Sequence, residues 1–417
     1  MLTNAIKLAL KVLGRRKFFT FISLFGISLT LVVLMVAAAI LDNTFGPRKP
    51  ESKFDRVLAV QRLGLYGPES SINGDPGYKI LKLYMRPLQG VEATSIASDS
   101  SLLTMYHGER KIETHLRRTD AAYWRIVDFD FIEGGPYTAE DDRRGNAVAV
   151  ITEDMRDKLF GEGKSALGRT FVADSTTFRV IGVVPTVSIM RNAAFSEIWA
   201  PLRTMRSSEY ENQISGSFIG LVLAKSPADF PRLKADFQRG LQHFVFEDPR
   251  TFNRVVAGLD TRFEAFARTA LHTRGSQLGE VRTGTLRLII LAAAVLFVTL
   301  PTMNLVSINL SRIMERASEI GVRKAFGASS RALIGQFVLE NVVLTLIGGA
   351  IGFVLSLIAL QAISRTALVP YAVFDVNLRI FGYCMLIAAI FGGISGAYPA
   401  WRMSRMKPVT ALRGGAL

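Results

Sequence analysis

The sequence has very few of the residues that form disulfide bonds and metal sites. Its 417 residues include one cysteine, Cys384, which excludes a disulfide within the chain and a cysteine-rich metal site. The four histidines lack the spacing of metal ligands, so we interpret them as surface or hydrogen-bonded side chains. They are His107, His115, His243 and His272. Neither a low-complexity tract nor a repeat of fixed period is present.

Acidic residues are nearly missing from three segments that carry most of the net charge of +15. Residues 1–17, 312–331 and 401–417 hold 14 basic residues and two acidic ones, Glu315 and Glu319, which leaves +12. Such basicity on a soluble chain would favour a nucleic-acid partner. Its location beside apolar runs indicates membrane topology instead, so we expect membrane lipids and no nucleic acid as partners.

Apolar runs long enough to cross a membrane occur four times. A helix rises about 1.5 Å per residue, so about 20 apolar residues span the bilayer core. Buried helices of soluble domains rarely run so long without charge, which disfavours that alternative. The sequence therefore predicts transmembrane helices at residues 18–41, 283–311, 332–363 and 380–400.

Lysine and arginine near helix ends predict which side of the membrane each segment occupies. The three basic segments, and with them both termini, are expected in the cytoplasm. Residues 42–282 and the short loop 364–379 are expected outside it. An alternative is a cleaved signal peptide at the start, but the first apolar run exceeds the usual length of about 7–15 residues.

The first basic segment, residues 1–17, permits two interpretations. Its apolar residues recur at helical spacing opposite the basic ones, which is typical of an amphipathic helix on the inner membrane surface. The alternative is a plain cytoplasmic extension of the first transmembrane helix.

The segment 42–282 reads as an α+β domain. Strands are expected at residues 56–60, 91–97, 147–151 and 218–224, with pairs of strands over 102–116 and 169–184, and helices over 78–88, 120–127, 152–160 and 229–244. Thr152 is the expected cap of one of these helices, which Gly161 should end. No catalytic constellation stands out in this domain.

Two short stretches of the domain need separate interpretation. Residues 161–165 (Gly-Glu-Gly-Lys-Ser) resemble a phosphate loop, but Lys158 stands where that motif needs glycine, so we interpret them as a turn. The acidic residues Glu140, Asp141 and Asp142 are expected in a solvated loop, with calcium binding as the weaker alternative.

The most specific segment lies between the second and third apolar runs. Residues 319–328 read Glu-Ile-Gly-Val-Arg-Lys-Ala-Phe-Gly-Ala, an amphipathic pattern with a glycine stop. Such a helix inserts into a groove on a cytoplasmic partner or lies along the lipid headgroups, and spacing alone leaves both open.

At these residues the chain closely resembles the MacB/FtsX-type (type VII) ABC transporter permeases. That family carries E-I-G-[IV]-R-[KR]-A-[FLI]-G-A at residues 319–328, then an apolar helix with an early glutamate, here Glu340, and a glycine pair, here 348–349. A second match covers residues 399–413 at the C-terminus. A third covers residues 123–142, 149–168 and 180–184, which are similar to the family's periplasmic core domain.

The resemblance implies a fold and a set of partners. The fold is a membrane protein of four transmembrane α-helices, with a large α+β extracytoplasmic domain (porter-like plus sabre-like) between helices 1 and 2. Two such permease subunits, as a homodimer or a heterodimer, would join two copies of an ABC ATPase in a bacterial cytoplasmic (inner) membrane. The segment 312–331 would be the coupling helix that docks on the ATPase. Its coupling residues would be Glu315, Glu319, Ile320, Gly321, Val322, Arg323, Lys324, Phe326, Gly327 and Ala328. Glycines expected to allow close helix packing are Gly348, Gly349, Gly352, Gly392 and Gly396.

The resemblance also implies where the chemistry resides. Neither a Walker A motif nor an LSGGQ-type signature occurs in the sequence, so a separate ATPase would bind ATP and Mg²⁺, with no cofactor and no enzymatic activity in this chain. The expected function is efflux of a periplasmic or outer-leaflet substrate by mechanotransmission, with a membrane-fusion protein as a further partner. The alternatives are a lipoprotein-releasing permease and a non-transporting FtsX-like regulator of a cell-wall hydrolase.

Overall fold

The computed structural model describes residues 17–271, 282–315, 322, 326, 329–365 and 378–404. The chain divides into two compact units. One is the α+β domain Asn43–Leu286, and the other contains the long helices that precede and follow it. Each unit has its own core and is described by itself.

The helices fall into two length classes. Among the described residues, four helices have 27 to 36 residues and the others at most 13. They are α1 (Lys17–Phe45), α2 (Tyr123–Ile126), α3 (Ala139–Arg144), α4 (Glu153–Phe160), α5 (Phe230–Gln242), α6 (Arg262–Ala270), α7 (Thr283–Glu315), α8 (Ser330–Arg365) and α9 (Leu378–Ser404), beside a helical turn Tyr78–Ile80 that continues as a π-turn Leu81–Met85.

Two of the long helices meet the length and hydropathy needed to cross a bilayer within the described residues. These spans are Thr20–Phe45 and Ile334–Arg365. The other two long helices contain shorter apolar stretches, Thr283–Phe297 and Phe381–Ile390. Helix α1 packs on α8 and α9 through a buried apolar cluster of Ile27, Leu31, Met35, Val343, Leu344 and Cys384.

The strands of the α+β domain form two sheets. They are β1 (Val57–Val60), β2 (Leu63–Tyr66), β3 (Ser71–Pro76), β4 (Val91–Ser98), β5 (Ser101–His107), β6 (Arg110–Thr119), β7 (Glu133–Gly134), β8 (Val148–Thr152), β9 (Thr170–Ala173), β10 (Thr176–Val184), β11 (Ile198–Pro201), β12 (Ser215–Gly216), β13 (Phe218–Ala224) and β14 (Arg254–Ala257). The larger sheet has the order β1-β13-β4-β6-β11-β8-β10-β7, with β5 beside β6 and β9 beside β10, and the smaller has the order β12-β3-β2-β14.

Strand β8 and helix α4 show how the sequence directs the larger sheet. All five β8 side chains are buried, as expected for an apolar strand covered on both faces. Thr152 ends the strand and accepts a hydrogen bond from the Met155 amide at 3.2 Å, which caps α4. Gly161, with φ of +94°, ends that helix, and the chain returns so that β10 runs parallel to β8.

Most of the elements expected for this domain are confirmed. The hairpin of β5 and β6 turns at Gly108, and the β9–β10 pair turns at Asp174 and Ser175, both in the left-handed region. The predicted turn after Gly161 is also present.

One prediction for the domain was wrong. The acidic residues Glu140, Asp141 and Asp142 lie in helix α3 and not in a loop. Thr138 and Asp141 form a reciprocal capping box, since each side chain accepts a hydrogen bond from the other's amide. Three carboxylates in the first turn also favour the positive end of the helix dipole.

Candidate functional site in the segment between helices α7 and α8

The predicted coupling segment begins where α7 ends and reaches the start of α8. Glu315 is the last residue of α7, and its side chain lies outside the described residues. Seven further members of the predicted set also lie outside the described residues. These are Glu319, Ile320, Gly321, Arg323, Lys324, Gly327 and Ala328.

The two described members of the segment, Val322 and Phe326, are joined by a backbone hydrogen bond. The Phe326 amide donates a hydrogen bond to the Val322 carbonyl at 3.1 Å, which is the i to i−4 bond of an α-helix. Residues four apart lie on one face of a helix. Both side chains are exposed, Val322 at 44% and Phe326 at 88%. This turn therefore presents an apolar face to its surroundings.

The predicted packing glycines of α8 lie against α1. A Cβ on Gly348 would stand 2.8 Å from Ile27 Cγ2, and one on Gly352 would stand 3.1 Å from the Ser28 carbonyl oxygen. Ser28 also donates from its hydroxyl to the Gly348 carbonyl at 2.9 Å. Small residues allow backbones to approach this closely.

The contact of α8 with α9 uses the other two glycines whose surroundings are described. A Cβ on Gly349 would clash with Met385 Cε, and one on Gly392 would clash with Thr345 Oγ1. Gly396 lies one turn further along α9. Helix α8 thus carries glycines toward both neighbouring helices.

Buried polar groups also occur in the first half of α8. Glu340 and Asn341 are almost fully buried. The Gln336 side-chain amide, one turn earlier, donates to Glu340 Oε1 at 3.2 Å. A buried carboxylate needs such donors because it has lost its water.

The described residues form no group of side chains that could hold a metal ion. No cluster of three or more histidine, cysteine, aspartate or glutamate side chains there has the geometry to bind a metal. His115 contacts the Glu197 carboxylate at 3.4 Å, His107 packs on Phe160, and His243 is exposed. His272 lies outside the described residues.

The α+β domain does contain carboxyl groups in perturbed surroundings. Burial, and then the nearby Asp99 charge, raise the pKa of Asp75 to about 6 although Arg62 lies 3.1 Å away. Burial also raises the pKa of Asp120, which accepts hydrogen bonds from Ser95, Ile96 and Arg86. Each has a cation within reach, so these are bonded groups of the fold.

Two families of known proteins match this chain. The MacB-like periplasmic core domain matches residues 20–239, which is more than half of the sequence. The FtsX-like permease C-terminal domain matches residues 290–408. The first match covers most of the α+β domain, and the second covers the long helices after it.

Similar proteins include permeases from several bacteria. YknZ of Bacillus subtilis (strain 168), described as an uncharacterized ABC transporter permease, is 24% identical over 331 residues, 79% of this chain and 77% of that protein. The macrolide export ATP-binding/permease protein MacB 2 of Yersinia pestis is 25% identical over 75% of this chain and 43% of its own length. The pyoverdine export ATP-binding/permease protein PvdT of Pseudomonas entomophila (strain L48) is 27% identical over 69% and 41%. This chain spans less than half the length of the two export proteins.

Solved structures of two external domains also align with the chain. The extracellular domain of YknZ aligns with a TM-score of 0.33 at 21% identity, over 43% of this chain and 91% of that domain. The periplasmic region of MacB from Actinobacillus actinomycetemcomitans aligns with a TM-score of 0.36 at 16% identity, over 53% and 94%. On the two family matches, the chain belongs to the MacB/FtsX-type family of ABC transporter permeases.

Proposed function

We propose that the chain is the permease subunit of an ABC transporter and couples ATP hydrolysis by a separate ATPase subunit to movement of its α+β domain. The observation that carries this proposal is the exposed turn of Val322 and Phe326 between α7 and α8. An exposed phenylalanine beside a second apolar side chain is typical of a contact surface. The turn also lies within the region that matches the FtsX-like permease domain.

The proposed topology has four transmembrane helices, α1, α7, α8 and α9, with both termini in the cytoplasm of a bacterial inner membrane. The α+β domain then lies outside the cytoplasm, and the Val322–Phe326 turn faces the compartment that contains ATP. The charge of the three basic segments supports this orientation. ATP and Mg²⁺ would be bound by the partner ATPase, present in two copies with two permease subunits.

The long helices suit mechanical transmission. At 1.5 Å per residue, the 33 residues of α7 extend about 50 Å and the 29 residues of α1 about 43 Å. Both are continuous in chain, although Pro301 inside α7 removes one backbone hydrogen bond, and each could carry a displacement along its length. Glycine contacts of α8 with α1 and α9 hold these helices close enough to move together.

Export of a substrate is the favoured outcome of this movement. The relatives MacB and PvdT carry macrolide export and pyoverdine export in their names, and both are similar to this chain over more than two thirds of its length. Because the α+β domain is proposed to lie outside the cytoplasm, the transporter would take its substrate from the periplasm or the outer leaflet of the membrane. A membrane-fusion protein is the further partner that such a system would use.

The test is co-purification of the tagged full-length chain from the membranes of its own bacterium. We expect an ABC ATPase with the native chain. Phe326→Asp should lower its recovery by about tenfold or more, because a central apolar contact is worth about 2 kcal/mol or more. Val245→Asp is the matched control, since Val245 is 82% exposed in the α+β domain and should leave recovery unchanged.

Two results would contradict the proposal. One is the absence of any ABC ATPase in the native preparation. The other is equal recovery of the ATPase with Phe326→Asp and with the control, which would mean that this turn is not the docking surface.

A further inference from the structure

A fully buried carboxylate lies just after the first long helix. Glu51 follows the end of α1 by six residues and has no exposed surface. One of its oxygens accepts hydrogen bonds from both Arg191 and Arg262, the former at 3.2 Å. The other accepts from the Ala194 amide at 3.2 Å. Both oxygens of the carboxylate are therefore bonded inside the α+β domain.

The two arginines also hold the backbone around the end of α1. Arg262 donates to the Thr44 carbonyl at 2.9 Å, and Arg191 donates to the Arg48 carbonyl at 3.2 Å. Guanidinium groups present several donors in a fixed plane, so one side chain can bond a carboxylate and a carbonyl at once. Glu51 and its two arginines thus form one network with this part of the backbone.

Aromatic packing reinforces the same connection. The Phe45 ring, at the last residue of α1, meets the rings of Phe263 and Phe266 edge-on, with centroids 5.8 and 5.4 Å apart. Both rings belong to α6, as does Arg262. Arg262 in turn stacks over the Phe54 ring at 4.6 Å. Helix α6 and the end of α1 are therefore joined by both charge and apolar contact.

The position of this network in the chain is its most informative property. The chain enters the α+β domain at the end of α1 and leaves it after α6, twelve residues before α7 begins. The network therefore ties the segment by which the chain enters the domain to α6, the last described helix before α7. The third partner, the loop 188–196, leads directly into strand β11 of the larger sheet.

A cavity of about 210 Å³ lies beside the network. Phe45, Phe54, Ala265 and Phe266 line it together with Arg262. Close packing is the rule in domain interiors, so this space leaves room for the aromatic rings to shift while the charged groups stay bonded. A bonded pivot next to free space is the arrangement of a joint.

We propose that Glu51, together with Arg191 and Arg262, is the joint that passes movement of the long helices to the larger sheet. Glu51 is a positioning residue: it fixes the entry and exit segments of the domain to one another and to the loop before β11. This inference rests on the proposed transport function. Buried ion networks add little net stability compared with apolar packing, which favours a role in positioning over one in stability alone.

The test uses the full-length chain in lipid nanodiscs, with the ATPase that co-purifies with it. Hydrogen–deuterium exchange is measured without nucleotide and with ADP-vanadate. In the native complex we expect nucleotide to change exchange in residues 43–51, 262–270 and 188–201. In Glu51→Gln, ATP hydrolysis should persist, while the nucleotide-dependent change in residues 188–201 falls about fivefold or more, as for the loss of a typical coupling free energy.

Control variants separate positioning from general destabilisation. Glu69→Gln makes the same change on an exposed side chain of the same domain and should leave the response intact. Arg262→Lys keeps the charge but loses the planar fork, so it should give an intermediate response. If Glu51→Gln is not recovered folded, Arg262→Lys and the cavity-filling Ala265→Leu replace it. Both should reduce the nucleotide-dependent change in exchange of residues 188–201 without reducing ATP hydrolysis.

The outcomes distinguish this inference from the proposed function. If no ATPase accompanies the native chain, the transport proposal fails. The joint is then judged on the chain alone, where Glu51→Gln must raise exchange in residues 43–48 and 262–270 together. If the ATPase is present and the variants respond to nucleotide like the native complex, the joint is overturned while the transport proposal stands.

Discussion

The long helices and the α+β domain bury polar groups in different ways. In the helices, buried hydroxyls bond to backbone carbonyls, as in the 2.9 Å bond from Ser28 to Gly348 and the 2.6 Å bond from Ser356 to Gly352. In the domain, buried carboxylates such as Glu51 and Asp120 bond to arginines far away in sequence. Hydrocarbon surroundings penalise charge, and the buried Glu340 carboxylate of α8 accepts a hydrogen bond from the neutral Gln336 amide.

The neutral contacts of the long helices allow close packing, whereas the charged contacts of the α+β domain fix the relative positions of distant segments. Neutral hydroxyls and glycines let two helices approach closely without a charge in the contact. Charged networks are directional, and each partner left alone is costly. We therefore expect the domain to be more sensitive to loss of one charged partner, and the helices to added volume.

The largest effect is expected from removing a buried carboxylate of the domain. Asp120→Ala leaves Ser95, the Ile96 amide and Arg86 without their shared acceptor, and should lower the free energy of unfolding by about 3 kcal/mol. Chemical denaturation of the purified chain measures this change. Asp55→Ala, an exposed site in the same domain, is the control, and an equal loss there would refute the contrast.

A smaller effect is expected from adding volume between α1 and α8. A side chain at Gly352 would meet Leu31 and the backbone of Ser28 within about 3 Å, so Gly352→Leu should cost about 2 kcal/mol by overpacking. Thermal unfolding in detergent measures the loss. Gly335→Leu is the matched control on the same helix, because its Cβ would have no atom within 4 Å. Equal unfolding temperatures for the two variants would contradict the packing role.

The smallest effect concerns pH and tests Asp75, whose pKa is raised although Arg62 pairs with it. Because burial raises the pKa of Asp75 to about 6, the folded chain retains a proton that the unfolded chain loses between about pH 4 and 6. The stability that Asp75 contributes by holding this proton is present below pH 4 and is lost as pH rises through 6. As pH rises from 4 to 7, the free energy of unfolding of Asp75→Asn should therefore increase by about 1 kcal/mol relative to that of the native chain. This figure allows for the partial exposure of Asp75.

Denaturation of both proteins at four pH values between 4 and 7 checks this. Asp248→Asn is the control, because hydrogen bonds from Thr251 lower the pKa of Asp248 and its contribution has the opposite sign. If the difference in free energy of unfolding between the native chain and Asp75→Asn does not vary with pH, the role given to Asp75 is contradicted.

The same contrast explains what the sequence could predict. Features that depend on neighbours in sequence were predicted. They are the long apolar helices, the caps Thr152 and Gly161, and the β5–β6 hairpin. Strand β3 was missed because its composition, Ser-Ile-Asn-Gly-Asp-Pro, is that of a turn. Only pairing with β2 and β12 makes it a strand.

The candidate joint was beyond sequence reasoning for a related reason. Glu51 and Arg191 are 140 residues apart, and nothing in the composition around either residue indicates that they meet. Helix α3 was missed because acidic residues were taken as a sign of solvation, while the Thr138 cap decided the conformation. The coupling segment, by contrast, was identified from its motif, and its role stays a prediction.

The most direct test of the central claim asks whether the α+β domain and the Val322–Phe326 turn face opposite sides of the membrane. Since Cys384 is the single cysteine, a Cys384→Ser background allows one cysteine at a time to be placed at position 245 or 326. A membrane-impermeant maleimide applied to cells whose outer membrane has been permeabilised should label position 245 and should reach position 326 only after the inner membrane is opened. Labelling of both positions from the same side would contradict the account.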